Sequence, residues 1–153
     1  MKITIRPLCI EDALTSYKWR NNSNIWKYTG NKPDRLITPE METEWIKKVI
    51  KNDNERRFAI IADGKYIGNT YLTNIENKTA KYHIFIGEES FWGKGIGTEV
   101  LKLVLTFAKK ELKLKTIYFN PSINNVATLK MYRKMGFVEK EIKNERIKME
   151  YHL

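Results

Sequence analysis

The 153-residue chain holds one cysteine, Cys9, and two histidines. One cysteine closes no intrachain disulfide, and so few Cys and His give no expectation of a zinc cage or any other metal site. Long apolar runs are also missing. The longest is Phe58-Ala59-Ile60-Ile61-Ala62, against the roughly 18 residues that a membrane span requires. Residues 1–7 alternate apolar and polar and lack the apolar block of a signal peptide, so they read as a strand of the mature fold in a cytoplasmic protein. There is no internal repeat, no Pro/Gly/Ser linker and no block of five or six like charges. What is present is a 42% hydrophobic and 12% aromatic composition. That is ample for one core at this length and excludes a disordered chain.

Acidic residues are scarce beside basic ones: 18 Asp+Glu against 28 Lys+Arg, which gives 28 − 18 = +10. Such an excess fits a nucleic acid partner, a small polyanion such as a nucleotide or coenzyme, or a surface charged only for solubility. Composition alone leaves all three open.

Patterning predicts strands at 2–7, 57–62, 66–75, 81–87, 115–120, 137–142 and 146–152. Asp63-Gly64 marks a tight hairpin, and 76–78 and 143–145 are further turns. Helices are predicted over about 10–22, from Thr38-Pro39 onward, over about 97–112 and over 124–135, the last closed by Gly136. The stretch 23–38 reads as a loop carrying Trp26 and Tyr28. The sum is an α/β (mixed α+β) domain, with a mixed sheet and helices on its faces.

Two segments carry chemistry. In Trp92-Gly93-Lys94-Gly95-Ile96-Gly97-Thr98, glycines alternate between a strand and a helix. Glycine lets backbone N–H groups approach a ligand, and the helix start adds uncapped N–H groups and a favourable dipole, so the segment suits a phosphate. It is not a P-loop, because Gly93-Lys94 is followed by Gly95 rather than Ser or Thr. It fits a dinucleotide fingerprint poorly, since the sixth place from Gly93 is Thr98 and lysines lie where the acidic residue belongs. A turn built for close packing is the alternative. The second segment runs from Asn125 to Phe137. Asn125 and Tyr132 are seven apart, two helical turns on one face, and Ala127 leaves room near the helix start. Taken alone, Tyr132 reads first as a core aromatic with its hydroxyl at the edge.

Together, Phe91-Trp92-Gly93-Lys94-Gly95-Ile96-Gly97-Thr98-Glu99 and the stretch from Asn125 to Phe137 resemble the GNAT superfamily of acetyl-CoA-dependent N-acetyltransferases, in order and in separation, and the layout of the whole chain matches. The resemblance implies a single N-acetyltransferase domain over 1–153. It implies a mostly antiparallel twisted sheet of seven strands, splayed between strands four and five and flanked by about four helices. It implies acetyl-CoA as donor. Trp92, Gly93, Lys94, Gly95, Ile96, Gly97 and Thr98 would hold the pyrophosphate, Ile84, Phe85 and Ile86 would lie along the pantetheine, and Asn125 would bond it. Tyr132 would protonate the leaving thiolate while the amine attacks the thioester directly, so Cys9 need not be a nucleophile. Some members carry Glu where Asn120 stands, and Asn takes no proton; others place a base on the strand of His83, whose ordinary value near 6.5 suits that role. A water relay or an already neutral amine would also serve. Glu88 and Glu89 read as solvated.

Acceptor choice in the family rests on the first helices, the loop joining them and the last hairpin. Here that region offers Arg20, Asn21, Trp26 and Tyr28, and Asn120 is a further acceptor candidate. Trp19-Arg20-Asn21-Asn22 looks like the segment of members that acetylate nucleotide-linked amino sugars, and is similar to members that acetylate protein N-termini, ribosomal proteins included. Residues 20–33 contain no Asp or Glu to receive a polyamine. The leading expectation is therefore transfer of acetyl to a small primary amine, with a homodimer expected by family analogy. The rivals are a protein N-terminal acetyltransferase, a basic nucleic-acid- or ribosome-binding module with no enzymatic role, and a catalytically silent acyl-CoA-binding regulator. Scattered lysines without an RNA-binding motif speak against the binding module, so nucleic acid is not the expected partner.

Overall fold

The computed structural model of the protein describes residues 1–29 and 32–153, with side chains throughout except at Tyr28 and Thr29. In chain order the elements are β1 (Ile3–Pro7), α1 (Ala13–Asn21), α2 (Ser23–Thr29), α3 (Pro39–Val49), β2 (Arg56–Ala62), β3 (Lys65–Glu76), β4 (Thr79–Ile86), α4 (Ile96–Lys110), β5 (Thr116–Phe119), α5 (Val126–Met135), β6 (Val138–Lys143) and β7 (Arg146–His152), with 3₁₀ turns at Ile10–Asp12 and Glu89–Phe91. The strands form a seven-stranded sheet in the order β1-β2-β3-β4-β5-β7-β6. All neighbours are antiparallel except β4 and β5.

The turns follow their residues. Asp63 and Gly64 both adopt positive φ, 49° and 83°, the pairing that a two-residue hairpin with native twist needs. Asn77-Lys78 and Asn144-Glu145 make the same excursion without glycine, each led by Asn, which tolerates that region better than most residues. Thr38 caps α3 by accepting from the Met41 N–H at 3.1 Å, and Pro39 occupies the first turn. Gly136 closes α5 at φ 108°.

The expected loop over 23–38 is partly helical, and α2 makes five helices among the described residues rather than four. Asn22 explains the difference. Its backbone turns extended at φ −82°, ψ 116°, which ends α1. Its Oδ1 then accepts from the Asn24 N–H at 2.9 Å, and its carbonyl accepts from Ile25 and Trp26. The residue that breaks one helix starts the next.

The core lies between the sheet and α4 with α5. Val100, Leu101, Val104 and Ala108 of α4 pack on Ile60, Leu72, Ala80, Ile117 and Met149. Helices α1 and α3 cover the opposite face, where Trp19 meets Phe85 edge-on at 5.9 Å. Sheet alternation divides β4 accordingly: Tyr82 joins the α4 side, and Phe85 faces α1. Gly87 follows β4 directly beneath Trp19, and a Cβ there would lie 2.0 Å from the indole. Gly87→Ala is expected to destabilise the protein by about 1–3 kcal/mol through overpacking, measured by urea unfolding.

The feature that positions the site is a fork. β4 and β5 pair only at Thr79↔Thr116, Ala80↔Ile117 and Lys81↔Tyr118. Beyond Lys81, β4 continues to Ile86 bonded to β3 alone, from Tyr82↔Leu72 to Ile86↔Gly68. The splay expected between the fourth and fifth strands is there, and it leaves one edge of β4 open.

Candidate active site

A cleft of about 1080 Å³ opens along this fork and runs across both faces of the sheet. One half is built by the end of β4, the loop after it and the start of α4. Ile84, Phe85, Ile86, Trp92, Gly93, Lys94, Gly95, Ile96 and Gly97 line it; Thr98, in the first turn of α4, does not. Gly93 and Gly95 sit at φ 71° and 75°, and the space where a Cβ would stand is empty within 4 Å at both. Gly95 is the N-cap of α4 and offers no side chain to the helix's first N–H groups. Those donors, the positive end of the helix dipole and Lys94 all border the cleft, a combination suited to a phosphate or pyrophosphate. Trp92 is anchored by its Nε1–H, which donates to the Ile86 carbonyl at 2.9 Å.

Tyr132 comes from α5 and is 4% exposed. Its ring packs against Phe119 at 4.1 Å and Phe137 at 5.2 Å, and it reaches the cleft between β4 and β5. Tyr82 lies beside it, ring centroids 6.4 Å apart. The Tyr82 hydroxyl is buried without a hydrogen-bond partner of good geometry, and burial raises it well above its ordinary value. Asn125 caps α5, its Oδ1 accepting from the Thr128 N–H at 3.3 Å. The side chain stands exposed outside the cleft wall, where Thr128 and Met131 are the α5 residues beside Tyr132.

The other half lies on the α1/α3 face. His83 donates to or accepts from Thr73 Oγ1 at 2.8 Å and stacks on Tyr71, centroids 4.5 Å apart and 9° from parallel. Arg57 covers the Tyr71 ring at 4.2 Å and the Trp45 ring at 5.0 Å, while Arg20 lies 5.5 Å from Trp45. Arg20 then pairs with buried Glu42 at 2.8 Å, and Ser16 donates to the same carboxylate at 2.8 Å. This ladder from His83 to Glu42 fixes the floor of the cleft.

Burial, the Lys81 ammonium and the Arg57 guanidinium lower His83 to about 4. The imidazole is neutral at pH 7 and holds an added proton weakly, so it lacks the affinity expected of a base titrating near 6.5. The unfolded chain therefore binds more protons than the folded one between pH 6.5 and 4, and the contribution of His83 to stability is present above that window and lost as pH falls through it. Urea unfolding at pH 7, 5 and 4 is expected to show a smaller acid-induced loss in His83→Gln than in the native chain.

The expected acceptor residues fare unequally. Arg20, Trp26 and Asn120 line the cleft. Asn21 does not: its amide donates to the Ile37 carbonyl at 2.7 Å and accepts from the Ile37 N–H at 2.8 Å, tying α1 to the segment before α3. The side chain of Tyr28 lies outside the described residues. Glu89 is exposed as expected, but Glu88 is half-buried, accepting from Trp19 Nε1 at 3.3 Å and pairing with Lys65 at 3.2 Å. Glu42, Trp45, Lys81, Tyr82 and Arg146 also line the cleft, and none sits in a sequence motif. Alternation along β4 is the one signal that could have placed Lys81 beside His83. Cys9 lies outside the cleft, and burial with the Asp12 carboxylate pushes its thiol up.

A family model described as an acetyltransferase (GNAT) domain matches residues 2–138. The chain belongs to the GNAT acetyltransferases. It is 30% identical to the spermidine N(1)-acetyltransferase of Escherichia coli (strain K12) over 146 residues, 94% of this chain and 77% of that protein. It is 30% identical to the Vibrio cholerae spermidine N(1)-acetyltransferase over 141 residues, 90% of this chain and 80% of that protein. A crystal structure of spermidine N-acetyltransferase from Vibrio cholerae in complex with CoA and spermine matches with a TM-score of 0.85 at 25% identity, over 98% of this chain and 95% of that one. This GNAT protein is an acetyl-CoA-dependent N-acetyltransferase. No helix among its described residues is long and apolar enough to cross a membrane.

Proposed function

We propose that acetyl passes from acetyl-CoA to the amine within the β4/β5 fork, with Tyr132 as the acid. The observation that carries this reading is the convergence on one cleft of an open strand edge, an uncapped helix start with its Gly93/Gly95 turn, and the Tyr132 side chain. The backbone N–H groups at 93–97 and Lys94 would hold the pyrophosphate. The unpaired edge of β4, over Ile84, Phe85 and Ile86, would bond the pantetheine as a strand bonds its neighbour.

The amine nitrogen attacks the thioester carbon, a C–N bond forms, and the C–S bond breaks. A backbone N–H of the open β4 edge stabilises the oxyanion. Tyr132 gives its hydroxyl proton to the departing alkyl thiolate, whose proton affinity is close to that of a tyrosine hydroxyl. The nitrogen's surplus proton leaves to bulk solvent through water; His83, at about 4, is neutral at pH 7 and would not retain it. His83 instead stands as a neutral hydrogen-bonding group beside the attacking amine. The test is amine-dependent release of CoA thiol from acetyl-CoA. Release without an amine, or none with any amine, would defeat the reading.

A polyamine acceptor is the second reading, and the two spermidine acetyltransferase relatives favour it. Glu42 is the one carboxylate among the described residues that line the cleft. Spermidine against monoamines in the same assay tests it.

A further inference from the structure

The charges of the cleft bear on which amine enters it. Four cations line it besides Arg20: Lys32, Lys81, Lys94 and Arg146. Among the described residues none of these four is in an ion pair, whereas Lys65, Lys102 and Lys148, outside the cleft, are paired at 3.2, 3.4 and 3.6 Å. Glu42 is already neutralised by Arg20 and is buried. A polycation would meet like charge here, with no free carboxylate to receive it.

Lys94 belongs to the phosphate seat on the α4 side. Lys81 is separate from it. It precedes His83 by two residues on β4, so both project to the α1/α3 face, away from α4. Arg146 opens β7 across the fork, where its Nη1 donates to the Asn120 carbonyl at 2.9 Å. Lys32 lies 5.3 Å from the Trp26 ring on the helical wall of the same half. Lys81, Arg146 and Lys32 thus line the cleft without belonging to the Trp92–Gly97 loop, where the pyrophosphate of acetyl-CoA would sit. His83 is depressed first by burial, with smaller contributions from Lys81 and Arg57.

We infer that the acceptor is a primary amine whose far end carries an anionic group, phosphate or carboxylate, seated by Lys81 and Arg146 with Lys32 at the rim. This rests on the transferase reading above and narrows its substrate class. The positive field also acts on the amine end. It lowers the proton affinity of a nearby ammonium, which supplies the neutral nucleophile without a dedicated base. A phosphate bound here is held by charge-assisted hydrogen bonds, and its affinity falls as salt rises.

Matched pairs test the claim: glucosamine against glucosamine 6-phosphate, butylamine against 4-aminobutyrate, and spermidine, each followed by thiol release from acetyl-CoA. The expected result is a kcat/KM at least about ten-fold higher for the anionic member of a pair, with the phosphate and carboxylate arms showing which group is read. That ratio is expected to fall toward one in the Lys81→Gln, Arg146→Gln double variant and to be retained in Lys81→Arg. Equal turnover within both pairs, or spermidine turned over faster than every anionic amine, overturns the inference and leaves the transferase reading intact. Thiol release from no member of the panel defeats that reading and this inference with it.

Discussion

Tyr132→Phe is expected to lower kcat by about 10²–10⁴-fold, the range that a positioned general acid contributes, while acetyl-CoA still binds. The expectation depends on how the ring is held. Tyr132 is wedged between Phe119 and Phe137 and flanked by Tyr82, so aromatic rings hold it in place. Phenylalanine keeps those contacts and removes one oxygen. A loss of turnover with unchanged thermal stability therefore reports chemistry, not folding. The expected kinetic signature is a fall in kcat with the apparent KM for acetyl-CoA retained, because the hydroxyl acts on the leaving sulfur and the phosphate seat is untouched. Steady-state kinetics with acetyl-CoA titration by calorimetry checks both halves. Normal turnover in Tyr132→Phe removes the acid role.

The second large effect is expected at Gly95. At φ 75° an L-residue carries a penalty of roughly 1–2 kcal/mol, more for a β-branched one, although the space around the missing Cβ is empty. Gly95→Val is expected to pull the N-cap of α4 out of this conformation and turn its N–H groups away from the seat. The KM for acetyl-CoA should then rise at least about ten-fold, since 1.4 kcal/mol is a factor of ten in binding. Gly64 supplies the control: it has a similar φ of 83°, equally open surroundings, and a hairpin turn outside the cleft. Gly64→Val is expected to lower stability and leave the KM for acetyl-CoA in place. If both variants bind acetyl-CoA equally well, the Gly93/Gly95 turn is not the phosphate seat.

The parts of the molecule legible in the sequence are those governed by local rules. Asp63-Gly64, Thr38-Pro39 and Gly136 each specify a turn or cap through their own backbone preferences, and each sits where those preferences place it. The alternating glycines between a strand and an amphipathic helix were legible for the same reason. The acceptor half was less so, because its residues are brought together by sheet pairing and not by spacing. Tyr71 meets His83 across the β3/β4 register, and Glu42 reaches Arg20 from another helix. Asn21 shows the converse. Its position beside Arg20 made it a binding candidate, yet a backbone segment 16 residues away takes both ends of its amide. His83 was recognisable as a titratable group on the right strand, but its lowered value comes from burial and from cations on β2 and β4 that only the fold assembles.

The +10 charge is now divided in two. All four of Lys94, Lys81, Arg146 and Lys32 line the cleft; in the proposed reading Lys94 would serve the coenzyme seat and the other three the acceptor. Most of the remaining basic residues lie outside the cleft and carry no argument about substrate.

The central claim is direct transfer of acetyl to an amine within the fork. The measurement that tests it most directly is mass spectrometry of protein and amine after a single turnover with acetyl-CoA labelled in its acetyl group. The account predicts the label on the amine nitrogen in equal amount to the CoA released, with none on the protein. Label on Cys9 or another side chain, chased into the amine afterwards, would contradict it.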